Sequence, residues 1–216
     1  MTFHCAGTYF DDETQSVGFL IGSDSRMTTR DKSTLEIRTF QVDKSFSGRR
    51  TVGFIRGTVP KDGCEPEEKF KSEVDGLDDQ FEEIDEGVNY SHISLLARSK
   101  KYVLLIGKQS NESLDLYTVS NQRKKDPHVA KRLHRITLEM YHTEETSLFL
   151  GSFNDRDYID LDIMGRMDFN MAKTLMENCL RMNNDKAKEL LRVPLDYEPG
   201  EPNMYKLSFQ GIEKIG

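Results

Sequence analysis

The order of hydrophobic patterns along these 216 residues predicts an α+β protein, with antiparallel sheets carrying helical layers on their outer faces. Three observations carry this. Residues 2–57 read as strands, rich in β-branched and aromatic residues and punctuated by polar turns. Phe70, Val74, Leu77, Phe81, Ile84 and Val88 then recur at spacings of 4, 3, 4, 3 and 4, one apolar stripe on an acidic helix. The chain closes on a further helix and a terminal strand pair.

In order, Thr2–Phe10 mixes aromatic, β-branched and small residues, and Asp11 to Ser16 supplies a polar turn. Val17–Gly22 is a largely apolar run suited to a strand buried on both faces. Thr39–Phe46 and Thr51–Arg56 follow as strands, with Ser47-Gly48 at the turn. Gly76 weakens the long acidic helix locally. A second helix is expected over about 90–99, then paired strands at 102–108 and 114–120. Ser147–Ser152 reads as a strand ending in small residues, and Asp168 as the N-cap of a helix through Ala172, Met176 and Leu180. Asn203–Phe209 and Gly211–Ile215 form the closing hairpin. The chain length suits one domain with a substantial core, spanning 1–216.

Composition excludes several function classes. Charged residues make up 31% and mean hydropathy is -0.64, and the longest aliphatic run, Val103–Ile106, is far too short to span a bilayer. Met1–His4 lacks the basic and apolar regions of a signal peptide. Three cysteines without CxxC spacing favour a reducing compartment with neither a disulfide framework nor a zinc site, hence the cytoplasm or nucleus. No histidine pair stands at i, i+4 and no glycine run matches a phosphate-binding loop, so neither metal nor cofactor is expected. The net charge is -7. Between Lys61 and Gly87 lie 12 acids and 3 lysines, whereas Arg123–Arg135 carries six basic residues and one acid. Both stretches read as solvated surface, and their opposite signs suit the orientation of neighbouring subunits. The basic run has no interleaved aromatic, which argues against nucleic acid.

Gly18-Phe19-Leu20-Ile21-Gly22-Ser23-Asp24-Ser25-Arg26-Met27-Thr28 resembles the second strand and following turn of proteasome β-type subunits, which are N-terminal-nucleophile hydrolases of the threonine peptidase family. Lys44 ahead of a strand that ends in Gly57, Leu150-Gly151-Ser152, the helix after Asp168 and the hairpin from Asn203 to Ile215 are similar to further segments in family order. The resemblance is specific around 17–28 and 200–215, and loose between 90 and 147. It implies a four-layer αββα sandwich of two antiparallel sheets flanked by helices. It also implies stacked rings shared with α-type and other β-type subunits, and unfolded polypeptide as substrate.

The chemistry implied by the resemblance needs few parts. A threonine at the mature N-terminus supplies the nucleophilic hydroxyl, and its own α-amine serves as general base. A lysine ammonium held by an aspartate lowers the amine's proton affinity, and backbone N–H groups stabilise the oxyanion. Carried onto this chain, the residues are Thr2 as nucleophile, Asp24 as orienting carboxylate, Lys44 as ammonium, Gly57 as oxyanion donor and Ser152 as supporting hydroxyl. Asp185 or Asp196 takes the last supporting carboxylate, and Ile55 or Arg56 the pocket floor. Thr2 follows Met1 directly, so removal of the methionine exposes the required amine.

Several positions depart from the family pattern. Phe3 replaces a second threonine, Phe153-Asn154 stands where glycine and serine are expected, and Glu198-Pro199-Gly200-Glu201 replaces a Ser-Gly-Gly segment. A non-catalytic structural subunit of the same assembly is therefore the alternative, and a stand-alone binding protein the third reading.

Overall fold

The computed structural model describes residues 2–30, 37–56, 66–93, 103–121, 126–153, 157–161, 163–181, 189 and 199–215. Strands β1 (Phe3–Asp11) and β2 (Ser16–Asp24) form a hairpin, each buried along almost its whole length. β3 (Arg26–Arg30) pairs β4 (Ile37–Gln41), and β5 (Ser45–Ser47) pairs β6 (Thr51–Arg56). Helix α1 (Pro66–Asp75) is followed by a 3₁₀ turn at Asp79–Phe81. Next come β7 (Val103–Gln109), β8 (Ser113–Ser120), β9 (Val129–Thr137), the single turn α2 (Met140–Thr143), β10 (Phe149–Phe153) and β11 (Ile159–Asp160). Helix α3 (Phe169–Leu180), β12 (Pro202–Ser208) and β13 (Gly211–Lys214) complete the described elements.

Two antiparallel sheets dominate. One has the order β11-β10-β1-β2-β12-β13, the other β5-β6-β7-β8-β9, with β3-β4 as a separate ribbon. Period-two alternation decides what each face buries. Ala6, Phe10, Phe19 and Ile21 of the first sheet meet Val52, Phe54, Leu105 and Leu116 of the second in a shared core. The alternate residues Phe3, Cys5, Tyr9 and Leu20 turn the other way, against Ala172, Met176, Cys179 and Leu180 of α3. Behind the second sheet, Phe46, Ile55, Leu104 and Ile106 pack on Val74, Leu77, Phe81 and Ile84.

The expected four-layer αββα sandwich flanked by helices is not what the described residues build. Their helices span 10, 4 and 12 residues. So little helix cannot cover sheets of six and five strands, and the fold is β-rich. The apolar stripe from Phe70 to Val88 was expected to be one helix, but α1 stops at Asp75. Gly76 lowers helix propensity there, and the next residue switches to an i→i+3 bond, from Leu77 N–H to the Val74 carbonyl at 3.0 Å. Leu77, Phe81 and Ile84 still reach the core from turns, whereas Val88 is 42% exposed. Near 90 the backbone forms a bridge between Asn89 and Val129 instead of the expected helix, and 94–99 lie outside the described residues.

Other expectations hold. Val17–Gly22 lies in fully buried β2, Thr51–Arg56 is β6, and the Asp168 side chain accepts the Met171 N–H at 2.8 Å as N-cap of α3. The Thr39–Phe46 strand is broken between Gln41 and Ser45, where Lys44 lies. The basic run continues into β9, an edge strand whose Arg132 and Arg135 both pair with Asp115 of β8, at 3.2 and 2.7 Å. No helix among the described residues is long and apolar enough to cross a membrane.

Gly53 tests the packing of β6. A Cβ there lies 2.8 Å from the Leu105 carbonyl oxygen, in backbone that cannot yield, and overlaps the edge of the Phe46 ring. Gly53→Ala is expected to cost about 1–3 kcal/mol in urea unfolding, and an unchanged midpoint contradicts this packing.

Candidate active site

The apolar space between the sheets turns polar at the start of β1. By alternation Thr2 and His4 share the inward face with Ala6, and cross-strand pairing sets Ser152 directly opposite His4. Asp24 ends β2, and its Oδ1 accepts the backbone N–H of Phe3 at 2.8 Å, which locks the first residues of β1 to the carboxylate.

Lys44 arrives from the break before β5. Its carbonyl accepts the Ile55 N–H at 3.0 Å, and the neighbouring Asp43 anchors the loop on both sides. One Asp43 oxygen accepts the Ser45 N–H at 2.9 Å, and the other meets Lys214 Nζ at 2.8 Å. Burial opposes charge on Asp43, but the Lys214 ammonium and the Ser45 donors outweigh it and hold the carboxyl below its ordinary range.

So held, Lys44 Nζ donates to Thr2 Oγ1 at 2.9 Å and lies 3.3 Å from Asp24 Oδ1. Thr2, Asp24 and Lys44 are 5%, 0% and 3% exposed. Burial lowers the proton affinity of Lys44, Asp24 opposes that, and Arg26 adds to it. The Ser25-Arg26 turn is fastened in place: Val42 N–H donates to the Ser25 carbonyl at 2.8 Å, and Arg26 N–H to the Pro199 carbonyl at 3.1 Å. Gly200 has φ +76°, and a Cβ there lies 2.9 Å from Ser25 Oγ, so this closure needs glycine.

Of the residues expected from sequence, the structure brings Thr2, Asp24 and Lys44 into contact. Ser152 is fully buried on the adjacent strand, where Arg56 Nη1 donates to its Oγ at 2.6 Å. Gly57, Asp185 and the alternative Asp196 lie outside the described residues. Of the two pocket-floor candidates, Ile55 packs outward against the α1 side, while Arg56 reaches inward to Ser152.

Two neighbours, His4 and Tyr158, were missed, and Arg56 was expected only as a pocket-floor candidate. The Arg56 guanidinium lies 5.4 Å from the Tyr158 ring centroid, and the Tyr158 hydroxyl is 3.1 Å from His4 Nδ1. Burial pushes the His4 imidazole well below its ordinary range, with Arg56 and Lys44 adding to the effect, so it is neutral near pH 7. Burial likewise pushes the Tyr158 phenol up, so it stays protonated. The available signal was parity. His4 is two residues from Thr2, and Arg56 two from the inward-facing Phe54.

A hydroxyl touching a buried ammonium that a carboxylate holds in place can be activated as a nucleophile when a base takes its proton. Comparison with models of known protein families matches none to this chain, and comparison with curated proteins finds no match either.

Proposed function

We propose that this chain is a proteasome β-type subunit and a threonine-type endopeptidase, acting on unfolded polypeptide within a ring assembly of α- and β-type partners in the cytoplasm and nucleus. The observation that carries this reading is the 2.9 Å contact between Lys44 Nζ and Thr2 Oγ1, with Asp24 at 3.3 Å from the same ammonium. The resemblance around the Asp24-Ser25-Arg26 turn supplies the rest.

Once whatever precedes Thr2 is removed, its neutral α-amine takes the Oγ1 proton as the oxygen attacks the scissile carbonyl. The Lys44 ammonium stabilises negative charge building on Oγ1. Collapse of the tetrahedral intermediate expels the leaving amine, which takes the proton from the α-ammonium and leaves an ester on Thr2. Water then attacks that ester, giving its proton to the amine, and the carboxylic product departs as the hydroxyl is restored. Gly57 keeps the oxyanion role that the resemblance implies.

The near-complete burial of Thr2 and Ser152 favours the second reading, a structural subunit in which the same polar cluster only joins the sheets. A peptidyl epoxyketone separates the two, because it cyclises onto both the hydroxyl and the amine of an N-terminal threonine. The native assembled protein is expected to gain one adduct on Thr2, and a Thr2→Val variant none. A free Thr2 amine with no adduct leaves only the structural role.

A further inference from the structure

We propose that the cavity where three hairpin turns meet, at the end of the sandwich away from Thr2, binds a small organic oxyanion: a carboxylate or phosphate monoester carried on an apolar body. This site needs no hydrolase chemistry and no contribution from Thr2.

Its place follows from the strand order. β6 leads from Arg50 at this end to Arg56, which bonds Ser152 beside the Thr2 cluster. Six residues of extended chain span about 20 Å. The cavity measures about 390 Å³, within the roughly 300–1,000 Å³ of ligand pockets. Arg49 and Arg50 line it from the β5–β6 turn, Gln109 and Asn111 from the end of β7 and its turn, Phe209 from the β12–β13 turn, and Leu138 from the segment after β9.

The rim is held by the protein's own bonds. Gly48 N–H donates to the Thr51 carbonyl at 2.8 Å, and Gln109 N–H to the Arg50 carbonyl at 2.8 Å, so the backbone carrying both arginines is fixed on either side. Gln109 Nε2 donates to the Phe209 carbonyl at 2.9 Å, which ties a turn of one sheet to a turn of the other. Ser110 Oγ accepts the Ser113 N–H at 2.9 Å and closes the β7–β8 turn. A rim fixed in advance lowers the ordering cost of binding.

The lining specifies the ligand. Arg49 and Arg50 are exposed, and among the described residues neither side chain enters an ion pair. Two guanidiniums in one cavity, in a chain of net charge -7, present forks of N–H donors that match an oxyanion. Glu112 and Glu139, the acids that follow the lining residues in sequence, form no ion pair with them among the described residues. Leu138 is 55% exposed, and Phe209 is only partly buried against the shared core. Together they make one apolar wall, which a bare inorganic ion leaves wet and an apolar body covers.

Isothermal titration calorimetry on the full chain as isolated tests this, with phenyl phosphate and phenylacetate as probes and inorganic phosphate and benzyl alcohol beside them. At least one aryl anion is expected to saturate at one site per chain, and the tighter of the two assigns the oxyanion as phosphate or carboxylate. Inorganic phosphate and benzyl alcohol are each expected to bind about tenfold more weakly or worse. R50Q lowers the affinity for the aryl anion about tenfold, and R49Q and R50Q together abolish saturation. L138S weakens the aryl anion and leaves inorganic phosphate unchanged. All three side chains are exposed, so the fold survives their replacement, and thermal melting checks this. The proposal is overturned if neither aryl anion saturates, or if the double variant binds within about threefold of wild type, which places the anion elsewhere. Benzyl alcohol or inorganic phosphate binding as tightly as the aryl anions overturns it too. No peptide is cleaved in this assay, so its outcome is separate from that of the hydrolase reading.

Discussion

On the proposed threonine-peptidase reading, Lys44→Met is expected to lower peptide hydrolysis by roughly a thousandfold or more. The expectation follows from position: the ammonium donates to Thr2 Oγ1, the proposed nucleophile, at 2.9 Å inside a buried site. Methionine matches the length of the side chain but carries no charge and no donor. The loss belongs in kcat, because in the proposed mechanism Lys44 acts on charge that develops only as Oγ1 attacks. Activity is measured below the variant's melting temperature on protein that still assembles. If Lys44→Met keeps more than a tenth of wild-type kcat, Lys44 does not act on the nucleophile.

Asp24→Ala is expected to produce the largest loss of stability, about 3–5 kcal/mol near pH 6, because it strips a buried ammonium of its carboxylate. It also leaves the Phe3 N–H, bonded to Asp24 at 2.8 Å, without that acceptor. The sign of the pH dependence is distinctive. Burial already lowers the proton affinity of Lys44, and Asp24 opposes this. Without Asp24 the folded-state value falls further below that of the unfolded chain, so the unfolded state binds more protons. Stability must then rise with pH. The deficit relative to wild type is expected to shrink between pH 6 and pH 10, toward the cost of the lost hydrogen bond. Urea unfolding at both pH values checks this. A deficit that stays constant shows that Lys44 was not charged in the folded protein.

Much of the strand pattern was legible because apolar and β-branched runs between polar turns are written in the chain. Val17–Gly22 and Thr51–Arg56 could be read as strands without knowing their neighbours. The Asp168 cap was legible for a similar reason, since capping is a contact over three residues. The long acidic helix misled, because an apolar stripe at spacings of 4 and 3 satisfies a helix and a series of buried turns alike. Gly76, the residue after the last of α1, favours the turns. The strand hidden in the basic run was obscured by its charges, which Asp115 of the adjacent strand compensates.

At the site, the resemblance around Asp24-Ser25-Arg26 nominated Thr2, Asp24 and Lys44. Nothing in the sequence spaced them within bonding distance. Their separations along the chain, 22 and 20 residues, carry no geometric information. Contact arises because Phe3 N–H pins the start of β1 to Asp24, and because the Lys44 carbonyl, bonded to Ile55 N–H, holds the lysine beside β6.

The sequence by itself determined the local elements that depend on near neighbours: parity in the strands, the N-cap, the turn residues and the identity of three candidate groups. Only the tertiary structure decided that two sheets dominate and that, among the described residues, helices are few and short. It alone decided that Arg56 is directed at Ser152 and not outward. The reason is physical. Backbone propensity and side-chain alternation act over a few residues, whereas the partner of a buried charge is chosen by which strands happen to pair and face one another.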